Sequence, residues 1–317
     1  MPSPHQPAPF GAQAAGSGAR EQGFSARPAD VSASLALSDR RSTSALAQVM
    51  GAAHRLARWR IGATLALRPA ATASQRQVAE TCREAMAQSA TLAVRPHLLV
   101  SAAALGHDRG LLRDLLMQAK RCDTVLLFDH AAADQADETM ACLMDLQEHH
   151  HDQLGLSLLA SRARSAADAR LAIAWGLRVR LEHDWPAFDR PGSVRSMLGS
   201  GASGRPTRQG VAERFLDLAS QLGAGQGDGP RCPVSLITHE PALAEQALAR
   251  LAQGGAHGTL ELRADQPRQG VLYIARQRGV AVRSQLAWGE GPAAHADPRG
   301  RWWGALQNGL DTLLPSA

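Results

Sequence analysis

The chain has 317 residues, of which 44% are hydrophobic and 20% are charged, a composition typical of a globular protein that buries a sizeable core. Its net charge of +5 comes from arginines spread over the whole length, and only 6 tryptophans, 5 phenylalanines and 1 tyrosine are available to stack on bases. We therefore expect no nucleic-acid partner, and the lack of a run of about 18 apolar residues predicts no transmembrane segment.

The cysteines and histidines do not predict a metal centre. Cys82, Cys122, Cys142 and Cys232 form no CxxC pair and no ligand spacing with a histidine, and they do not suggest a disulfide framework. The adjacent histidines His149–His151 point in different directions at a helix end, which favours a solvated cluster. Free thiols suit a reducing compartment, and the amino terminus lacks the pattern of a secretory signal. We expect a cytoplasmic protein.

The amino-terminal part of the chain differs from the rest. Residues 1–45 are rich in Pro, Gly, Ser and Ala, so we expect a disordered segment there and a folded domain over residues 46–317. A short helix is predicted from Ser44 to Arg58. Its expected apolar face comprises Leu46, Met50, Leu56 and Trp59.

From Ile61 onward, short apolar blocks alternate with segments of helical period. The predicted strands are Ala63–Leu67, Leu98–Ala102, Thr124–Asp129, Leu156–Ala160, Arg178–Leu181, Val234–Thr238, Thr259–Arg263 and Val280–Leu286. The predicted helices between them are Ser74–Gln88, Asp108–Lys120, Gln135–His149, Ser165–Trp175, Gln209–Leu222, Pro241–Ala252 and Gln266–Arg278. Eight strands that alternate with helices predict an α/β fold of the closed (β/α)8 TIM-barrel type. A doubly wound open sheet is the alternative, because alternation alone does not prove closure.

Polar residues follow several predicted strands at the end that forms the ligand-binding mouth of such a barrel. They are Ser101, Asp129, Arg180, His183, Thr238, His239, Glu240 and Arg263. Each alone could equally be a helix cap or a loop contact, and Pro241 suggests that Thr238 to Glu240 form a helix entry. The long loop Asp189–Thr207 follows the fifth strand, and loops of this length are often functional.

Six motifs in order resemble the catalytic barrel of the proline dehydrogenase family. The segments "LLVSAAALG" (98–106), "LLFDHA" (126–131) and "LGLSLLAS" (154–161) are similar to the family's VSVKLSALG, IDMEE-type and VGVVLQAY strands. The segments "LRVRLEHDWP" (177–186), "VSLITHEP" (234–241) and "GVAVRSQLAWGE" (279–290) are similar to ARVRLVKGAY, ALATHD and GYRVRVYVPYGE. The resemblance covers about residues 60 to 300.

The resemblance implies a catalytic and substrate-binding set. Asp129 corresponds to an aspartate of the substrate pocket, Arg180 to the arginine that contacts the flavin, and Leu181 to the neighbouring apolar wall. Arg299 and Arg301 stand near the position of two arginines that clamp the proline carboxylate, and guanidinium groups bind carboxylates well.

The resemblance also implies flavin adenine dinucleotide (FAD) as the cofactor. Arg180, Thr238 and His239 correspond to flavin contacts, and His183 takes the place of a family lysine. The implied activity is oxidation of L-proline or a related secondary amine by hydride transfer to FAD. The family's quinone acceptor would imply visits to the membrane surface.

Several family residues are replaced, and three functions therefore stay open. Ser101 replaces a lysine, Leu159 a glutamine, Ser161 a tyrosine and Gln285 a tyrosine, while Gly-Ala-Tyr becomes residues 184–186. The chain is either a divergent oxidoreductase or a catalytically inactive barrel that serves as a binding or regulatory module. A weaker third possibility is another chemistry with two histidines of the mouth, His183 and His239, as acid and base.

Overall fold

The computed structural model describes residues 45–148, 151–184, 207–225, 232–263 and 269–289. Several predictions lie outside the described residues. They concern the disordered segment, most of the loop Asp189–Thr207, the side chains of His149–His151, and the two arginines Arg299 and Arg301. No helix in the described ranges is both long and apolar enough to cross a bilayer.

Eight parallel strands close into a barrel in sequence order, and β1 pairs with β8. The strands are β1 (Gly62–Arg68), β2 (His97–Val100), β3 (Val125–Phe128), β4 (Leu154–Leu159), β5 (Arg178–Glu182), β6 (Val234–Ile237), β7 (Gly258–Arg263) and β8 (Val282–Gly289). The helices are α1 (45–58), α2 (Gln75–Ser89), α3 (Arg109–Arg121), α4 (Ala136–Gln147), α5 (Ser165–Ala174), α6 (Arg208–Ala224), α7 (Pro241–Gln253) and α8 (Gln269–Arg278). The barrel prediction is confirmed, and the open sheet is excluded.

Local signals in the sequence set several helix starts. Ser74 and Gln77 form a reciprocal capping box at α2. Asp108 caps α3 and Thr207 caps α6, each by accepting a backbone N–H with its side chain. On α1, Leu46, Met50 and Leu56 are buried as predicted, whereas Trp59 lies just beyond the helix and is 40% exposed.

The two faces of the strands have different chemistry. Outward-facing residues such as Val179 and Leu181 join the large apolar core shared with the helices. The inward face of the same strand carries Arg180 and Glu182, since successive strand residues point to opposite sides. An apolar cluster inside the barrel is small and consists of Ala66, Leu99, Val125 and Leu127, with Ala287 against it.

The register of the strand pairs arranges the inward residues in layers of four, each layer drawn from alternate strands. From the strand starts to the strand ends, the layers are Gly62, Val125, Arg178, Thr259; His97, Gly155, Ser235, Arg283; Thr64, Leu127, Arg180, Glu261; Leu99, Ser157, Ile237, Gln285; and Ala66, Asp129, Glu182, Arg263. Barrel interiors are usually filled by branched apolar residues. This interior is unusually rich in charge.

Gly155 is a point of close packing within the lower layers. A methyl group at this position would lie 2.5 Å from the carbonyl oxygen of Arg178 and 2.6 Å from Cδ2 of Leu127. The first of these neighbours is backbone, which cannot move without disturbing the β4–β5 pairing.

We predict that Gly155→Ala lowers the free energy of unfolding by about 1–3 kcal/mol, because overpacking strains the sheet. The matched control is Gly51→Ala on α1, where the added carbon meets its nearest atom, of Arg55, at 3.6 Å. That variant should be neutral or stabilising by about 0.5–1 kcal/mol. Urea unfolding measures both, and equal stability of Gly155→Ala and wild type would contradict the predicted crowding.

Candidate active site

Arg180 lies at the centre of the barrel and is 1% exposed. Its Nε donates to Glu261 (2.8 Å), Nη2 donates to Gln285 (2.8 Å), and Nη1 donates to Glu182 (3.1 Å). Burial alone would lower the pKa of the guanidinium, but the charges of Glu261 and Glu182 outweigh it and raise that pKa. Arg180 is therefore held charged, with all three of its nitrogens bound to the protein.

Glu261 connects this arginine to the opposite wall of the barrel. The carboxylate accepts from Arg180 of β5 and from the hydroxyl of Thr64 of β1 at 3.0 Å. The three residues belong to one layer, and the hydrogen bonds run across the barrel axis. This layer links three strands that do not pair with one another.

Glu182 occupies the uppermost layer, at the mouth. It is 5% exposed, accepts from Arg180 with one carboxylate oxygen, and accepts from Arg263 with the other. Burial would raise its pKa, but the charges of Arg180 and Arg263 outweigh burial and lower it. A permanent carboxylate therefore lies on the inner side of the mouth.

Asp129 lies in the same layer as Glu182. Its carboxylate is 2.9 Å from Nη1 of Arg68 and 2.9 Å from Nδ1 of His130. Burial would raise the pKa of Asp129, but the charges of His130 and Arg68 hold it well below its usual range. In return, Asp129 raises the pKa of His130 against the effect of burial. Asp129 is thus an ion-pair residue here and does not cap a helix.

His183 and His239 lie beside each other near the mouth, with ring centroids 6.5 Å apart. The His183 side chain is fully buried, and its ring packs edge-on against Phe215 at 5.7 Å. Nδ1 of His183 is 3.7 Å from a carboxylate oxygen of Glu240, and neither ring nitrogen has a hydrogen-bond partner within the described residues. Burial is the main cause that lowers the pKa of His183.

Two other predicted site residues have local structural contacts. The Thr238 hydroxyl accepts from the backbone N–H of Glu240 at 3.2 Å, and Pro241 is the first residue of α7, so this turn forms the helix entry. Leu181 faces the helices within the apolar core. The structure therefore does not bring Leu181 together with Arg180 inside the barrel.

The replaced family positions are also engaged locally. Ser101 accepts from the backbone N–H of Ala104 at 3.2 Å, and the backbone N–H of Ser161 donates to Asp184 at 2.9 Å. The hydroxyl of Ser161 contacts the same carboxylate. At the fourth strand, Leu159 is 8% exposed and offers no polar atom to the mouth.

Glu182 and Glu261 are the residues that sequence reasoning missed. Both occupy every-second positions within the strands "RVRLE" and "GTLELR", where alternate residues share one face. Strict alternation with arginines could have placed them inside the barrel.

Comparison with known proteins gives likeness in structure alone. No family model matches the chain, and no curated protein matches its sequence. A bifunctional proline utilization A protein superposes with a TM-score of 0.59 at 18% identity, covering 81% of this chain and 28% of that one. Proline utilization A from Bdellovibrio bacteriovorus, inactivated by N-propargylglycine, superposes with a TM-score of 0.59 at 9% identity, covering 84% of this chain and 31% of that one. A mutant of proline utilization A from Bradyrhizobium japonicum superposes with a TM-score of 0.57 at 17% identity, covering 81% of this chain and 28% of that one.

The fold of this barrel is proline dehydrogenase-like. The solved structures agree with the resemblance read from the sequence motifs, and at these identities the likeness establishes the fold. The chain spans under a third of the length of these proteins.

The described residues do not fit a flavin in the way that the resemblance implies. A flavin contact requires Arg180 to turn a donor to the mouth, yet each of its three nitrogens is held by a hydrogen bond to Glu261, Glu182 or Gln285. A flavin also gains negative charge on reduction, and the buried carboxylate of Glu182 would oppose that charge.

We predict that Glu261→Gln lowers the free energy of unfolding by roughly 3–5 kcal/mol, because it leaves the buried guanidinium of Arg180 undercompensated. The matched control is Glu245→Gln, which breaks the half-exposed pair with Arg278 and should cost less than about 1 kcal/mol. Chemical denaturation measures both variants. If both variants lost less than about 1 kcal/mol of unfolding free energy, the barrel centre would not depend on the pair between Arg180 and Glu261.

A second prediction concerns pH. Because the folded-state pKa of His183 is lowered, its contribution to stability is present above the unfolded value of 6.5 and is lost as the pH falls below it. In His183→Asn, the loss of unfolding free energy between pH 7.5 and 5.5 should be smaller than in wild type. Exposed His54→Asn on α1 is the control, and an unchanged pH dependence in His183→Asn would refute the assignment.

Proposed function

We propose that this chain is a non-catalytic relative of proline dehydrogenase barrels and acts as a binding or regulatory module. The observation that supports the proposal is the closed ion network around Arg180. The residue expected to contact a flavin instead binds two carboxylates and an amide of its own barrel.

Charge balance at the mouth supports the same proposal. Among the described residues, each arginine on a strand in the upper layers has a carboxylate partner, whereas Arg162, on the loop after β4, donates to the backbone carbonyl of Ala131. The pairs are Arg68 with Asp129, Arg180 with Glu261, and Arg263 with Glu182. A site that stabilises a reduced flavin or binds a substrate carboxylate needs surplus positive charge, and these arginines are already neutralised.

The proposed module comprises residues 46–317, preceded by the segment 1–45. The described barrel runs from Gly62 to Gly289 within that range. The alternative is the divergent oxidoreductase, which would oxidise proline or a similar amine with FAD and pass electrons to a quinone at the membrane surface. In that case Arg299 and Arg301 would contact the substrate carboxylate, with Asp129 in the pocket.

We predict that the purified chain takes up no FAD at micromolar concentration and oxidises no proline. Quenching of FAD fluorescence measures uptake, and bleaching of the visible flavin spectrum on addition of proline measures turnover. A proline utilization A protein serves as the positive control. Ser101→Lys, which restores the family's lysine, should produce no turnover, because Arg180 stays bound to Glu182 and Glu261.

Stoichiometric FAD uptake would contradict the poor fit of the mouth to a flavin. Bleaching by proline in wild type would establish the oxidoreductase instead. Turnover that arises only in Ser101→Lys would mean that the rest of the site is intact, and it would also overturn the proposal.

A further inference from the structure

The base of the barrel, at the strand starts, differs in charge from the mouth. Arg178 lies in the lowest layer, and Arg283 lies in the layer above it together with His97 and Ser235. Arg95 precedes β2 at the same end, and its backbone carbonyl accepts from Arg283 at 2.9 Å. Three arginines therefore converge beneath the central ion network.

These arginines exceed the carboxylates available to them. Arg95 pairs with the exposed Asp123 at 2.9 Å. The guanidinium of Arg283 donates to two backbone carbonyls and, at 3.4 Å, to the hydroxyl of Thr64. Glu261, whose charge acts on Arg283, is already bound to Arg180. The side chain of Arg178 has no hydrogen bond or ion pair with any residue in the described ranges. Within those ranges, the positive charges of Arg178 and Arg283 therefore have no carboxylate bound to them.

Buried polar atoms without partners lie at the same place. Within the described residues, Nδ1 of His97, the hydroxyl of Ser235 and Nε of Arg178 have no hydrogen-bond partner. His97 and Ser235 are each only 2% exposed. Burial and the positive charges of Arg283, Arg178 and Arg95 lower the pKa of His97. The three unpartnered groups can donate a hydrogen bond, whereas the unpartnered Oε1 of Gln153, which precedes β4 at the same end, can only accept one.

Room for the Arg283 side chain comes from a glycine in the lowest layer. Arg283 extends into the space beside Gly62, since a Cβ on that glycine would lie 2.6 Å from Nη1 of Arg283. Gly155 adds no side chain to the layer of His97 and Ser235, and its own Cβ position is crowded by Leu127 and Arg178. Arg178 and Arg95 are both partly exposed, so solvent reaches the cluster from the base.

A purely structural role does not explain this arrangement. The strand-start end of a barrel usually serves stability, but burying an unpaired charge and unpaired hydrogen-bond groups destabilises a fold. Converging arginines with free donors are the arrangement that binds oxyanions.

We propose that the base of the barrel is a binding site for a small oxyanion of the phosphate class, held by Arg178 and Arg283 with the side chains of His97 and Ser235. The anion supplies the negative charge and the acceptor atoms that the protein lacks there. The site lies at the opposite end of the barrel from the mouth and is independent of any flavin.

Calorimetric titration of the full chain with inorganic phosphate, in Tris chloride with sodium chloride matched for ionic strength, tests the proposal. We expect one equivalent to bind, and we expect saturating phosphate to raise the melting temperature by at least about 2 °C. Arg178→Gln should weaken phosphate binding at least about 10-fold, because it removes a charged donor pair. Arg76→Gln, which removes the same charge from the exposed start of α2, should leave binding unchanged.

Two further measurements distinguish a ligand-binding site from a purely structural role of Arg178. In phosphate-free buffer, Arg178→Gln should be at least as stable as wild type, since it removes an unpaired charge. Arg178→Lys keeps the positive charge but lacks the paired N–H donors of a guanidinium, so its phosphate affinity should fall between those of wild type and Arg178→Gln. Circular dichroism checks that both variants fold. Glycerol 3-phosphate in place of inorganic phosphate distinguishes a phosphate monoester from the free ion as the ligand.

Binding of either compound that depends on Arg178 supports the proposal. No binding of either, or equal binding by wild type and Arg178→Gln, overturns it. Destabilisation of Arg178→Gln to the same extent with and without phosphate would assign Arg178 a purely structural role instead.

Discussion

The ion pair between Arg180 and Glu261 is the interaction on which the rest of the barrel interior depends. It joins β5 to β7 at the barrel centre, and Thr64 extends it to β1. The pair is completely buried, so each charge is tolerated only because the other is present. The remaining charges of the interior are arranged above and below this layer.

Charge is distributed unevenly along the barrel axis. At the mouth, Glu182 and Asp129 neutralise the arginines that face them, whereas the base keeps Arg178 and Arg283 in excess. Within the described residues, the strand arginines at the end that binds ligands in barrels of this type are therefore paired with carboxylates. The strand arginines without a bound carboxylate lie at the end that usually serves stability.

The fold could be predicted from the sequence in considerable detail. Apolar blocks, helix caps and glycines specify the number and order of the elements locally, and the eight predicted strands all correspond to strands of the barrel. Closure could not be derived in the same way, because it depends on pairing between β1 and β8, which are about 220 residues apart.

The candidate site was predicted less completely. Motif resemblance identified Arg180, Asp129 and His183, but their partners depend on register across the barrel, which no local pattern reveals. Glu261 is 81 residues from Arg180 in the chain, and Gln285 is 105 residues away. The contacts of Arg180 therefore became visible only in three dimensions.

Glu182 has a consequence for how this interior could have evolved. Its two oxygens bind Arg180 and Arg263 together, so replacing it by an apolar residue removes a carboxylate from both arginines at once and leaves Arg180 with Glu261. A path between this interior and one that carries an apolar residue at position 182 is therefore less costly if position 263 changes first. Charge thus constrains the order in which these two positions can be substituted, even where the backbone is unchanged.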